Sequence, residues 1–260
     1  MSASEVDRLD EGLRSSFAAF LSRVEDSQLD HRRGFRVVSC PRVPFPGLNG
    51  IWLDGPDEAI PSELIEQAMG EVLARDVPCW VEVRAGRLPI LERTVAGLGF
   101  VQADALPGMV LRPNELARIP RSGLTLRRAD DADQLAIAGS VVARGFGVPP
   151  EMVAAMFTPQ VVAGPDISIY VAYDGEQAVS AAMAWRGDYA VGIFNVATPP
   201  EFRSRGYGRA VTTGAIEAAF EAGADLAWLQ ASPLGQPVYQ AMGFRQVATY
   251  LLLGRPASEP

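Results

Sequence analysis

Histidine occurs once and cysteine twice in 260 residues, and each scarcity removes a class of chemistry. His31 stands alone beside Asp30 and Arg32, where the end of a surface helix suits it better than catalysis. Cys40 and Cys79 show no CxxC spacing and have no identifiable histidine partner. A disulfide framework, a zinc site and a cysteine nucleophile are therefore not expected, and both read as buried free thiols. No metal is expected.

Long apolar runs are also missing: none approaches the roughly 20 residues that span a bilayer. The opening stretch carries Glu5, Asp7, Arg8, Asp10, Glu11 and Arg14, too much charge for a signal peptide. A cytoplasmic protein with no membrane partner is expected. Cationic surplus is absent too, since 23 Lys and Arg face 31 Asp and Glu for a net charge of −8. Nucleic acid, which requires a clustered basic surface, is a poor partner.

What is present is ample core material. Hydrophobic residues make up 48% and charged residues 21%, the balance of a folded globular protein. The length suggests two domains, or one with a large extension. Between Pro107 and Gly123, Pro113, Arg118, Pro120, Arg121 and Ser122 interrupt every periodic pattern. A boundary near residues 113 to 122 would divide a domain of residues 1–115 from one of residues 122–260.

Downstream, Leu124–Arg128 alternates as a strand, and Asp130 and Asp131 cap a helix over Ala132–Ala143. A short helical piece covers Pro150–Phe157. Strands Ile167–Tyr173 and Ala178–Trp185 meet at Asp174-Gly175, a hairpin turn signal, and a third runs over Tyr189–Ala197. Pro199 and Pro200 stop it, and small or apolar residues at helical spacing follow over Gly206–Ala222. Strand Leu226–Ala231, helix Pro237–Ala241 and strand Phe244–Leu253 complete the order. Hairpins feeding a strand-helix-strand crossover predict an α/β fold with a mixed sheet flanked by helices.

The first half echoes this pattern. Gly50-Ile-Trp-Leu53 resembles Gly192-Ile-Phe-Asn195, and Leu98-Gly-Phe100 resembles Met242-Gly-Phe244 at nearly the same offset. Helix Pro61–Arg75 and strand Cys79–Arg84 lie between the first pair of landmarks, so a duplicated fold unit is expected.

The stretch from Phe194 to Ala210 carries the chemistry: a strand, a loop with Gly206 and Gly208, then a helix start, with Arg203, Arg205 and Arg209 nearby. Helix-start N–H groups lack intrahelical acceptors and sit at the positive end of the macrodipole, so the arrangement binds anions. A Walker A loop would end in Gly-Lys-Ser/Thr, and the three glycines of a dinucleotide fingerprint are not there. Here the sequence resembles the GNAT acyltransferase family, whose acyl-CoA signature Gln/Arg-x-x-Gly-x-Gly/Ala matches Arg203-Ser204-Arg205-Gly206-Tyr207-Gly208. Tyr239-Gln-Ala-Met-Gly243-Phe244 also resembles that family, and the likeness in element order covers about residues 123 to 254.

The resemblance implies a GNAT fold, built as two tandem GNAT-like units, and an N-acetyltransferase that uses acetyl-CoA. The acceptor would be a small amine or an exposed amino group, attacking directly in a ternary complex. Pyrophosphate would rest on the N–H groups of Arg205 to Ala210, and pantetheine would run along Val196, Ala197 and Thr198. The Val196 N–H would polarise the thioester carbonyl, and Tyr239 would protonate the leaving thiolate. Asn195 stands where some family members carry glutamate; Glu201, Asp188 or a water are the remaining candidates for the base. A non-catalytic acyl-CoA-binding module of the same fold is the alternative. In the first half, Val95 stands where Tyr239 stands in the second, and Asp54, Asp57 and Glu58 replace the Arg and paired glycines, so that half reads as a degenerate copy without the phosphate site.

Overall fold

The computed structural model describes residues 4–53, 60–87, 89–117 and 123–255. Asp54, Asp57 and Glu58, and the expected linker residues Arg118, Pro120, Arg121 and Ser122, lie outside the described residues. In chain order the elements are α1 (Glu5–Leu21), β1 (Gln28–Arg32), β2 (Phe35–Ser39), β3 (Gly50–Leu53), α2 (Ser62–Leu73), β4 (Trp80–Arg84), α3 (Pro89–Gly97) and β5 (Val101–Leu111). They continue with β6 (Leu124–Arg128), α4 (Ala132–Phe146), α5 (Glu151–Ala154), β7 (Ile167–Asp174), β8 (Gln177–Arg186), β9 (Ala190–Ala197), α6 (Tyr207–Glu221), β10 (Leu226–Gln230), α7 (Gln236–Ala241) and β11 (Arg245–Gly254).

Two compact units form, and they interleave along the chain. One, the C-terminal unit, joins the chain up to Arg23 with Gly108–Val247; the other, the N-terminal unit, joins Val24–Pro107 with residues from Ala248 onward. A single cut between residues 115 and 122 therefore does not trace the units. The physical reason is α1, whose Leu9, Leu13, Ser16 and Phe20 recur at i, i+4, i+7 and i+11 and form one buried stripe. Its charges lie on the other face, and Glu5 bonds Arg112 and Arg245. His31 is exposed on β1, a strand rather than the helix end expected for it.

In the N-terminal unit the strand order is β1-β2-β3-β4-β11, antiparallel except for β3 beside β4. Helix α2 makes the parallel crossover, and its Ile65, Met69 and Val72 pack on Val37, Ile51 and Val81 of the strands. In the C-terminal unit residues 108–111 of β5 begin the order β5-β10-β9-β8-β7-β6, again with one parallel pair, β9 beside β10, joined through α6. The sequence β-β-β-α-β-α-β is thus present twice, as β1 to β5 and as β7 to β11. The last strand of each repeat completes the other unit's order: β5 pairs with β10, and β11 with β4. Pro107, read from sequence as the start of a linker, lies inside β5 at the point where the strand passes from one unit to the other.

Most downstream boundaries fall within one or two residues of the sequence expectations. The capping of α4 is an example: Asp131 accepts from the Gln134 N–H at 2.8 Å, and Gly147 ends the helix at φ 69°. Gly243 has φ 104°, and a Cβ there would overlap the Glu115 carbonyl oxygen. Gly243→Ala is expected to destabilise the protein by about 2 kcal/mol or more, read as a lowered urea midpoint at unchanged m-value.

Candidate active site

The parallel ladder between β9 and β10 is short. Ala190, Val191 and Gly192 pair with Leu226, Ala227 and Trp228, and there the register stops, although β9 continues to Ala197 and β10 to Gln230. On its other edge β9 follows β8 with a shift: Met183 faces Phe194 but Ala181 faces Ala197, so β9 holds one extra residue between them. Asn195 absorbs it with φ 50°, forming a bulge. In a regular strand residue 195 would share the face of Val191 and Ile193. The bulge hands that face to Val196, which packs against the buried clusters on the α6 side.

The end of β9 is tightly supported. The Ser180 hydroxyl donates to the Ala197 carbonyl at 2.8 Å and lies 2.9 Å from the Thr198 hydroxyl. A Cβ on Gly145 of α4 would come 2.7 Å from that of Ala197, and one on Gly208 of α6 would come 3.2 Å from Thr198 Oγ1. Glycine at both positions lets two helices approach the strand end. The start of α6 is thereby pinned against the place where β9 loses its parallel partner.

That helix start is open to an anion. Gly206 occupies the N-cap at φ 80° with no side-chain cap, the first turn contains no acid, and Ser204 before it has φ 63°. The first intrahelical bond recorded there runs from the Ala210 N–H to the Gly206 carbonyl at 2.9 Å. Ala210 is therefore already satisfied, and the receptive donors are the amides from Gly206 to Arg209. Arg205 is exposed, and the Arg209 guanidinium lies 3.6 Å from the position of a Cβ on Gly206. Arg203 is placed differently: its guanidinium donates to the Thr198 carbonyl at 3.1 Å and to the Gly145 carbonyl at 2.7 Å. Its side chain braces the loop. The Tyr207 hydroxyl reaches Asp174 Oδ2 at 2.5 Å and fixes the other side.

Tyr239, on α7, belongs to the same buried cluster that Val196 packs against and stands edge-on to Phe244 at 5.7 Å. Only 9% of its surface is exposed, and burial raises its phenol pKa well above the usual value. Glu201, one candidate base, has its pKa lowered by its own backbone N–H and by Arg144, with which it forms an ion pair. The Asn195 amide faces Met183 Sδ at 4.0 Å. Burial raises the pKa of both thiols, Cys40 and Cys79, the opposite of an activated nucleophile. Among the described residues no group of three or more His, Cys, Asp or Glu stands where it could hold a metal ion, and no helix is long and apolar enough to cross a membrane.

A strand that outruns its parallel partner, beside a glycine-opened helix start, is the decisive arrangement, and the family model described as an acetyltransferase (GNAT) domain matches it over residues 165–246. Residues 165–246 thus resemble a GNAT domain. Among solved structures, a GCN5-related N-acetyltransferase from Kribbella flavida aligns over 99% of this chain and 98% of its own, at 18% identity and a TM-score of 0.76. A tandem GNAT protein from the clavulanic acid biosynthesis pathway aligns over 99% and 98%, at 12% identity and a TM-score of 0.62. A GCN5-related N-acetyltransferase from Sphaerobacter thermophilus covers 89% of this chain and 84% of its own, at 15% identity and a TM-score of 0.63. No functionally curated protein matches the chain. At these identities the likeness shows the fold, a mixed α/β GNAT architecture that extends beyond the matched GNAT domain to the whole chain.

Sequence reasoning did not reach the supports of this site: Ser180, Gly145, the inward turn of Arg203, and Trp228 at the last parallel pair. Each is defined by cross-strand register or helix packing, and no local spacing marks it. Arg203→Ala is expected to remove two charge-assisted bonds and destabilise the protein by about 1–3 kcal/mol, measured by chemical denaturation.

Proposed function

We propose that the GNAT domain transfers an acetyl group from acetyl-CoA to a primary amine, carried by a small molecule or an exposed amino group, by direct attack in a ternary complex. The observation that supports this most is the coincidence of the unpaired end of β9 with the uncapped start of α6. Pyrophosphate would accept from the amides of Gly206 to Arg209, with Arg205 and Arg209 adding positive charge. Pantetheine would lie along Val196 to Thr198 as a substitute strand, so that the Val196 N–H meets the thioester oxygen as it gains charge. Collapse of the tetrahedral intermediate breaks the C–S bond and leaves a thiolate, to which the Tyr239 hydroxyl would give its proton.

Burial makes the phenol a weaker acid, and the same desolvation makes the thiolate beside it a stronger base, so the transfer stays matched. Neither Asn195 nor the ion-paired Glu201 is suited to take the amine proton near neutrality, which leaves that step to a water or to Asp188. This same shortage favours the second reading, a non-catalytic acyl-CoA-binding module.

Calorimetric titration with acetyl-CoA tests the site. Gly206→Glu, which sets a carboxylate into the cradle, is expected to abolish binding without unfolding the protein; equal binding by both proteins would overturn the placement, and no binding by wild type the whole reading. Tyr239→Phe is expected to retain binding and lower kcat about 100-fold across an amine panel that detects free thiol. Because the phenol stays protonated above its usual pKa, wild-type kcat should show no alkaline decline from this group below about pH 10. Binding with no thiol release from any amine would favour the second reading.

A further inference from the structure

At the last parallel pair, Trp228 faces Gly192, and its indole is completely buried. A Cβ on Gly192 would overlap the ring, and one on Gly12 of α1 would come 2.5 Å from it. The indole thus lies hard against the backbone of β9 and the backbone of α1. Phe194, two residues along β9 on the same face, stands perpendicular to the indole at 5.3 Å and 89°, and Phe17 of α1 meets Phe194 edge-on at 5.8 Å. The bulge at Asn195 follows at once. Among the described residues the buried Trp228 Nε1 has no hydrogen-bond partner.

The geometry points to Phe17, Phe194 and Trp228 as an aromatic wedge by which the N-terminal helix sets the opening between β9 and β10. Through Phe17, α1 holds Phe194 against the indole at the pair where the ladder ends. The wedge sits at the apex of the opening, where the parallel pairing ends at Gly192 and Trp228. Its residues are positioning residues, and what they position is the slot for the pantetheine arm. This inference rests on the acyl-CoA reading above.

The test compares two probes on the full chain: CoA, which carries the pantetheine arm, and adenosine 3′,5′-bisphosphate, which lacks it. Wild type is expected to bind CoA more tightly. Phe17→Ala is expected to reduce that preference about fivefold while the affinity for the bisphosphate holds, and Phe17→Tyr, which keeps the ring, should restore it. A variant with unchanged preference and a native thermal transition would overturn the wedge and leave the acyl-CoA reading intact. Absence of any CoA preference in wild type would overturn both. If Phe17→Ala fails to fold, Phe17→Leu keeps the apolar volume without the ring and serves in its place, read by the same ratio.

Discussion

An amide that leaves a β-ladder inside a protein must find another acceptor or stand open at a cost of about 1–3 kcal/mol. Five residues of β9 lie beyond its last parallel pair, and much of the C-terminal unit is arranged around that exposed edge. Ser180 and Thr198 tie down the strand end, Arg203 ties it to α4, and Gly208 brings α6 against it. These contacts fix the strand from one edge and one end while leaving the other edge available. A loose strand would simply have moved to pair with its neighbour.

Charge follows the same division. The chain carries a net −8, yet the start of α6 gathers Arg205 and Arg209 and contains no acid in its first turn. With Arg203 turned toward two carbonyls, positive potential at the helix start comes from backbone amides and two arginines rather than three. Backbone donors are fixed in place by the helix, so they recognise the shape of an anion where flexible guanidiniums recognise only its sign. Ser204 and Gly206, both at positive φ, set the angle at which those amides point.

Local signals in the sequence carried far. The period-two and period-3.6 patterns located β6 through β11 and α4 through α7, because each of these elements buries its own stripe. The Arg203 to Gly208 run identified the helix start for the same reason: glycine spacing and a strand before it are neighbours in the chain. What stayed hidden depends on register across distant segments. The charges between Glu5 and Arg14 masked an amphipathic helix whose buried stripe belongs to the C-terminal unit, and Arg203 reads as a phosphate ligand until Gly145 is seen beside it. Trp228 looks like ordinary core until Gly192 and Gly12 are known to press on its ring.

The exchange of last strands between the repeats bears on how this chain is made. During synthesis β4 emerges long before β11, its antiparallel neighbour, and the rest of the second repeat lies between them. Until then the β4 edge offers unpaired amides to any other strand, nascent or from another copy, which is the ordinary route to aggregation and swapped dimers. Nor can the first repeat mature alone, as a simple tandem array would allow. Such a chain folds late and as a whole, and excising either repeat at the midpoint would leave a sheet with a raw edge.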